Sequence, residues 1–149
     1  MTSIVPFRRE HMEQVRLIPL LSYSMGAEVD VELLESLPGN FTLLSDEGRA
    51  LMCSGVVEHW PGRGEAWAAI DSEARKTHPL AIVRAGMHTL KASRLARVEA
   101  VVLRDGFPEG HKFVRLLGFE LECDRMRSYH PGGRDCSMYV RIAEAAEEG

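Results

Sequence analysis

With 149 residues, 45% of them hydrophobic and 27% charged, the chain has the size and make-up of one globular domain around one core, which excludes a collagen-like repeat, a coiled-coil rod and a wholly disordered chain. Its net charge of -4 offers no general attraction to a phosphate backbone, so nucleic acid is not an expected partner. Cys53, Cys123 and Cys136 are far apart and form no Cys-x-x-Cys pair, so they read as reduced thiols, and neither a disulfide framework nor a metal site is expected.

Residues 3–7 read as a short strand. In "RREHMEQVRLI", Met12, Val15 and Ile18 recur at helical spacing until Pro19 stops the run. A second short helix is expected from Asp30, whose carboxylate suits an N-cap, with Leu33, Leu34 and Leu37 turned inward and Pro38-Gly39 at its end. "NFTLLSDEGRALMCSGVVEHW" has two apolar runs on either side of a turn-forming cluster at 45–49, the pattern of a hairpin. The Pro-Gly-Arg-Gly run at 61–64 supplies another turn. The next strand, "EAWAAID", puts Glu65 and Trp67 on one face and Ala66, Ala68 and Ile70 on the other.

Pro79 suits the first turn of a helix in which Leu80, Val83, Met87 and Leu90 form a stripe predicted to be buried. "RVEAVVL", residues 97–103, is apolar enough for a central strand buried on both faces. Phe113, Leu116 and Leu117 are expected to form the inner face of the next helix, ended by Gly118 in the left-handed conformation. Phe119, Leu121 and Cys123 then alternate with acidic residues as a half-buried strand, and Cys136, Met138, Val140 and Ile142 alternate after the turn "HPGGRD". The sum is β-α-α-β-β-β-α-β-α-β-β, an α/β (α+β) fold in which one strand-helix-strand unit sits in an otherwise antiparallel sheet. No repeat or linker interrupts it, so a single domain over 1–149 is expected, with 143–149 as a fraying tail. No run reaches the ~20 apolar residues of a membrane span, and Arg8 charges the N-terminus too early for a signal peptide, so the cytoplasm is the expected compartment.

That order, with the helix-to-strand junction "RLLGFELE" and a closing hairpin, resembles the GNAT superfamily of acyl-CoA-dependent N-acyltransferases over nearly the whole chain. The segments "PFRREHMEQVR", "GVVEHWPGRGEAWAAIDSEARK", "GHKFVRLLGFE" and "YHPGGRDCSMYVRI" are similar to a phage- and prophage-encoded subgroup that includes acetyltransferase-like internal virion proteins. The resemblance implies a mostly antiparallel sheet flanked by helices, whose central parallel pair, "EAWAAID" and "RVEAVVL", splays apart. It implies acetyl-CoA as cosubstrate, with pantetheine along the main chain of Trp67, Ala68, Ala69 and Ile70, and with Arg75 and Lys76 at the pyrophosphate. The superfamily's phosphate loop has glycines at two positions after the one matched by Arg75; here His78 and Leu80 stand there, with Pro79 between them.

Direct acetyl transfer to an amine needs a base and an acid. By the resemblance, Glu65 or Glu58, flanking the Trp60-Pro61-Gly62 turn, is the expected base. The superfamily's usual tyrosine in the last helix is replaced by Phe113 and Val114, so Tyr129 or Tyr139 of the final hairpin is the expected acid. Plain readings stand beside these: solvated carboxylates at strand ends, Trp60 and Trp67 packing a core edge, and Cys136 as an inert buried thiol. The implied function is acetyl transfer to an amine of a small molecule, peptide or protein. The alternative is a fold of this kind that has lost catalysis and serves a phage or prophage as a binding or virion-associated component, with a host or phage protein as partner. Self-association stays open.

Overall fold

In the computed structural model, residues 1–17 and 30–143 are described. Among them the chain forms β1 (Ser3–Pro6), α1 (Arg9–Gln14), α2 (Val31–Ser36), β2 (Asn40–Leu44), β3 (Ala50–Trp60), β4 (Arg63–Ile70), α3 (Ala74–Thr77), α4 (Pro79–Ser93), β5 (Arg97–Leu103), α5 (Pro108–Leu116), β6 (Glu120–His130) and β7 (Arg134–Ile142). The strands make one mixed, mostly antiparallel sheet in the order β1-β2-β3-β4-β5-β7-β6. Its parallel pair is β4 with β5, in register from Arg63 opposite Arg97 to Glu65 opposite Glu99. The expected order of elements is present with one addition, the single turn α3. No helix among the described residues is long and apolar enough to cross a membrane.

The chain divides into two compact units, Met1–Val57 with Trp67–Ser93, and Glu58–Ala66 with Arg94–Gly149. In the first, β1 and β3 flank β2 antiparallel. Phe7, Val15, Ala50, Cys53 and Ala69 form a buried cluster against which Met12, Leu34 and Trp67 pack. Asp30 caps α2 as expected, its carboxylate accepting from the Leu33 N–H at 3.1 Å. Leu33 itself corrects the expectation: it faces solvent, because a six-residue helix turns only one narrow stripe inward and Leu34 occupies it. Ile18 and Pro19 lie outside the described residues.

Helix α4 corrects the sequence reading further. The face it buries is Ile82, Ala85, Gly86, Thr89 and Leu90, while Leu80 is exposed and Val83 and Met87 are half-buried. The small residues Ala85 and Gly86 admit close approach of backbone, and the Thr89 hydroxyl lies 2.9 Å from that of Ser54 on β3. Large side chains alone therefore mark the wrong stripe, since contact distance favoured small residues here.

In the second unit, β5 is buried on both faces as expected and pairs antiparallel with β7 over its whole length, Arg97 opposite Ile142 through Leu103 opposite Cys136. β7 is therefore an interior strand, and β6 is the edge. This placement corrects two alternation patterns. Leu121 on β6 and Ile142 on β7 are exposed, whereas Ser137 and Tyr139, on the face assigned to solvent, are buried. The β6–β7 pairing shifts register three times, the irregularity with which edge strands resist further pairing. On α5 the buried side is Val114 rather than Leu116, which is exposed. Gly118 ends that helix with φ +91°, as its position predicts.

Candidate functional site

The first half of β4 and the facing part of β5 carry a cluster of charged side chains in the second unit. Arg63 and Glu65 alternate on β4, Arg97 and Glu99 on β5, and the parallel register sets like beside like. Glu99 is buried, with a salt bridge to Arg63 and another to Arg97 at 2.7 Å. Arg97 also bonds Glu122 on β6. Hydrogen bonding from Arg63, opposed by burial and assisted by Arg97, lowers the Glu99 pKa to about 2. Glu99 is thus a fixed anion between two guanidinium groups.

Glu65 differs. Its Oε1 lies 3.2 Å from His59 Nε2, and among the described residues no guanidinium hydrogen-bonds it, although the charge of Arg63 acts on it. Both side chains are more than a third exposed, so a proton and a small solute can reach them. Glu58 is tied into the turn, its Oε2 accepting from the Gly62 N–H at 3.2 Å. Trp60 is exposed and lies under the Arg63 guanidinium, 4.4 Å from its ring centroid.

The two tyrosines of the hairpin fall into opposite settings. Tyr139 is 1% exposed. His111 Nε2 sits 3.0 Å from the carbonyl oxygens of both Leu103 and Arg104 and so carries the ring proton; the Tyr139 hydroxyl donates to the remaining nitrogen, Nδ1, at 2.7 Å. Its proton is committed to joining β7 to α5. Tyr129 is 52% exposed, and its pKa is raised by partial burial and by the carboxylates of Glu65 and Glu99. The hydroxyl stays protonated at neutral pH, within electrostatic reach of Glu65.

In the first unit, the Trp67 indole donates to Asn40 Oδ1 at 2.8 Å and packs edge-on against Phe7, so its side chain is a core group. A Cβ at Gly55 would meet that Asn40 oxygen at 1.7 Å, which is why β3 carries glycine there. Ala69 is fully buried and Ala68 exposed. After Ile70 comes Asp71, a residue the sequence reading passed over. Its side chain is 0% exposed, and it accepts from the Arg16 N–H, Nε and Nη2, the Arg49 Nη2, and the N–H groups of Glu73 and Ala74. Burial pushes its pKa up, but the Arg16 guanidinium and main-chain N–H groups, with the charge of Arg49, outweigh that and hold the carboxyl well below the usual range. The only sequence signal was an Asp followed three residues later by a helix start. Beyond it, Arg75 is half-buried and Lys76 exposed at the end of α3.

The expected cofactor-binding residues Trp67, Ala68, Ala69, Ile70, Arg75 and Lys76 thus belong to the first unit, and Glu58, Glu65, Tyr129 and Tyr139 to the second. Cys53 and Cys136 are buried and in no disulfide; burial pushes the Cys53 pKa up to about 12 against a weaker opposing bond from Thr42, leaving a group that does not ionise at neutral pH. Among the described residues no group of three or more His, Cys, Asp or Glu side chains is placed to hold a metal.

No known family profile matches the chain, and no curated protein matches it significantly. Its fold, however, is that of solved acetyltransferases. Ard1 from Thermoplasma volcanium superposes with a TM-score of 0.71 at 15% identity, over 96% of this chain and 98% of that one. A ribosomal-protein-S5-alanine acetyltransferase from Vibrio fischeri gives 0.70 at 14% identity, over 97% and 94%. A GNAT-family acetyltransferase from Bacillus anthracis gives 0.67 at 15% identity, over 95% and 94%. The described residues therefore have the GNAT fold.

Proposed function

We propose that this protein is an N-acetyltransferase that moves an acetyl group from a thioester donor to an amine. The observation that carries the reading is the parallel β4–β5 register within this fold, three residue pairs long at 63–65 with 97–99. The Ard1-like and S5-alanine enzymes that share the fold support the class of reaction; the acceptor of this chain is an amine of unassigned identity.

In such a transfer the neutral amine's nitrogen forms a C–N bond and gives up one proton, while the thioester C–S bond breaks and the thiolate gains one. Glu65, more than a third exposed and hydrogen-bonded by no guanidinium, takes the amine's proton. Tyr129, kept protonated by its anionic surroundings, donates its hydroxyl proton to the departing sulfur. Glu58, tied into the β3–β4 turn, and Tyr139, sealed against His111, are the weaker choices for base and acid. Glu99 cannot serve as base, since a carboxylate lowered to about 2 between two arginines has little proton affinity at neutral pH.

The phosphate end of acetyl-CoA falls to the turn that follows β4 and to the start of α4. The glycines are absent, and the main-chain N–H groups of Arg75, Lys76, Thr77 and His78 all donate to carbonyls within the turn. Residues 75–78 therefore form no main-chain cradle of their own, and what this place offers a pyrophosphate is the first N–H groups of α4, those of Leu80 and Ala81, with the side-chain charges of Arg75 and Lys76.

The reading is tested by following thiol release from acetyl thioesters with a panel of primary amines. Amine-dependent release that Glu65→Gln abolishes is expected. No amine-dependent release, together with no thermal shift at millimolar thioester, would reject it, because a ligand that binds only the folded state must raise its stability.

A further inference from the structure

We infer that His59 is the positioning residue of the transfer: its Nε2–H holds one oxygen of Glu65, so that the other is presented to the acceptor amine. The inference rests on the acetyl-transfer reading and adds a second residue to its base.

His59 lies on β3 and Glu65 on β4, neighbouring strands joined by the turn at Pro61 and Gly62, and His59 Nε2 is 3.2 Å from Glu65 Oε1. A carboxylate has lone pairs and no proton, so this bond forms only with the hydrogen on Nε2. It also outlasts the reaction. When Glu65 takes a proton on Oε2, Oε1 still accepts from the ring, and His59 changes neither tautomer nor place. Oε2 is in no hydrogen bond among the described residues and the side chain is 39% exposed, so that oxygen is open to an amine and can release its proton to water.

The other carboxylates of the cluster are held differently. Both oxygens of Glu99 are taken, by Arg63 and Arg97, and Glu122 gives both of its oxygens to Arg97. Glu58 is bonded by the main chain of its own turn. A guanidinium orients a carboxylate but leaves a permanent positive charge beside it, and Glu99, lowered to about 2, shows the loss of proton affinity that follows. Arg63, whose charge reaches Glu65, is committed to Glu99 and to the face of Trp60. An imidazole N–H can fix a carboxylate without adding a permanent charge. An exposed glutamate left alone samples several rotamers, few of which aim an oxygen at the reacting nitrogen. A ring on the neighbouring strand, with only two torsions of its own, narrows that set.

Thiol release from acetyl-CoA, with the best acceptor of the amine panel, decides the matter in the full-length protein and two variants. His59→Phe keeps a ring without the donor, and His59→Gln carries an amide N–H of similar reach. His59→Phe is expected to lower kcat roughly 10- to 100-fold with the KM for acetyl-CoA unchanged, and His59→Gln to recover most of that loss. Full turnover by His59→Phe, a loss that His59→Gln shares, or a loss seen in KM rather than kcat overturns the inference while leaving acetyl transfer standing. If the wild type itself gives no amine-dependent release, the acetyl-transfer reading falls and the inference falls with it.

Discussion

Asp71 in the first unit and Glu99 in the second are both buried carboxylates held as anions, yet they are held by different means. Asp71 takes bonds from the main chain of Arg16, Glu73 and Ala74 as well as from two arginines, so its partners cannot turn away without unfolding the turn. Glu99 is held by the side chains of Arg63 and Arg97. Rotamers can rearrange there, and the neighbouring Glu65 bonds His59 and feels Arg63 only through its charge. A carboxylate locked by backbone is architecture, whereas one held by side chains, with a second and more accessible acid next to it, leaves room for a reaction.

The sharpest way to break this contrast is Glu65→Gln. It should lower amine-dependent turnover roughly 100- to 10,000-fold, the usual worth of a general base, with unfolding free energy changed by less than about 0.5 kcal/mol, as for an exposed substitution. A comparable loss of stability in urea titration would move Glu65 into the architectural class. Asp71→Ala should do the reverse. Leaving two arginines and the α3 turn without their anion costs about 3 to 5 kcal/mol, read from chemical denaturation, while turnover per folded molecule holds.

Glu99→Gln is expected to fall between them, losing about 1.5 to 3 kcal/mol at neutral pH for its charged hydrogen bonds. The sign with pH follows from a pKa that falls from about 4.5 unfolded to about 2 folded: the stabilisation is complete above 4.5 and disappears as pH drops toward 2. Acid titration should therefore show the wild type and Glu99→Gln converging across that window, and a gap that persists at pH 2 would refute the assignment. The smallest effect calibrates the others. Gly118→Ala, at φ +91° with no close contact, should cost about 1 kcal/mol of backbone strain and leave turnover unchanged.

What the sequence determined by itself was local. The Asp30 cap, the turn at 45–49, the left-handed Gly118 and the helix linking β4 to β5 each depend on a few neighbouring residues and their backbone angles, and such preferences act before any distant contact forms. The candidate base and acid were legible only as pairs of alternatives, because Glu58 and Glu65, or Tyr129 and Tyr139, differ in partners rather than in type.

Tertiary structure decided those partners. A hairpin does not say which of its strands will pair with β5; once β7 took that place, Tyr139 was sealed against His111 and β6 became the edge, with Leu121 exposed and Tyr129 left half open. The same holds for α4, where the sheet accepted Ala85 and Gly86 rather than the larger Leu80 and Met87. Asp71 carried only its local cap signal for a related reason: its donors come from positions 16, 49, 73 and 74, and only folding brings the first two to it. Burial and ion pairing belong to surfaces that different parts of the chain make together, so no window of neighbouring residues contains them.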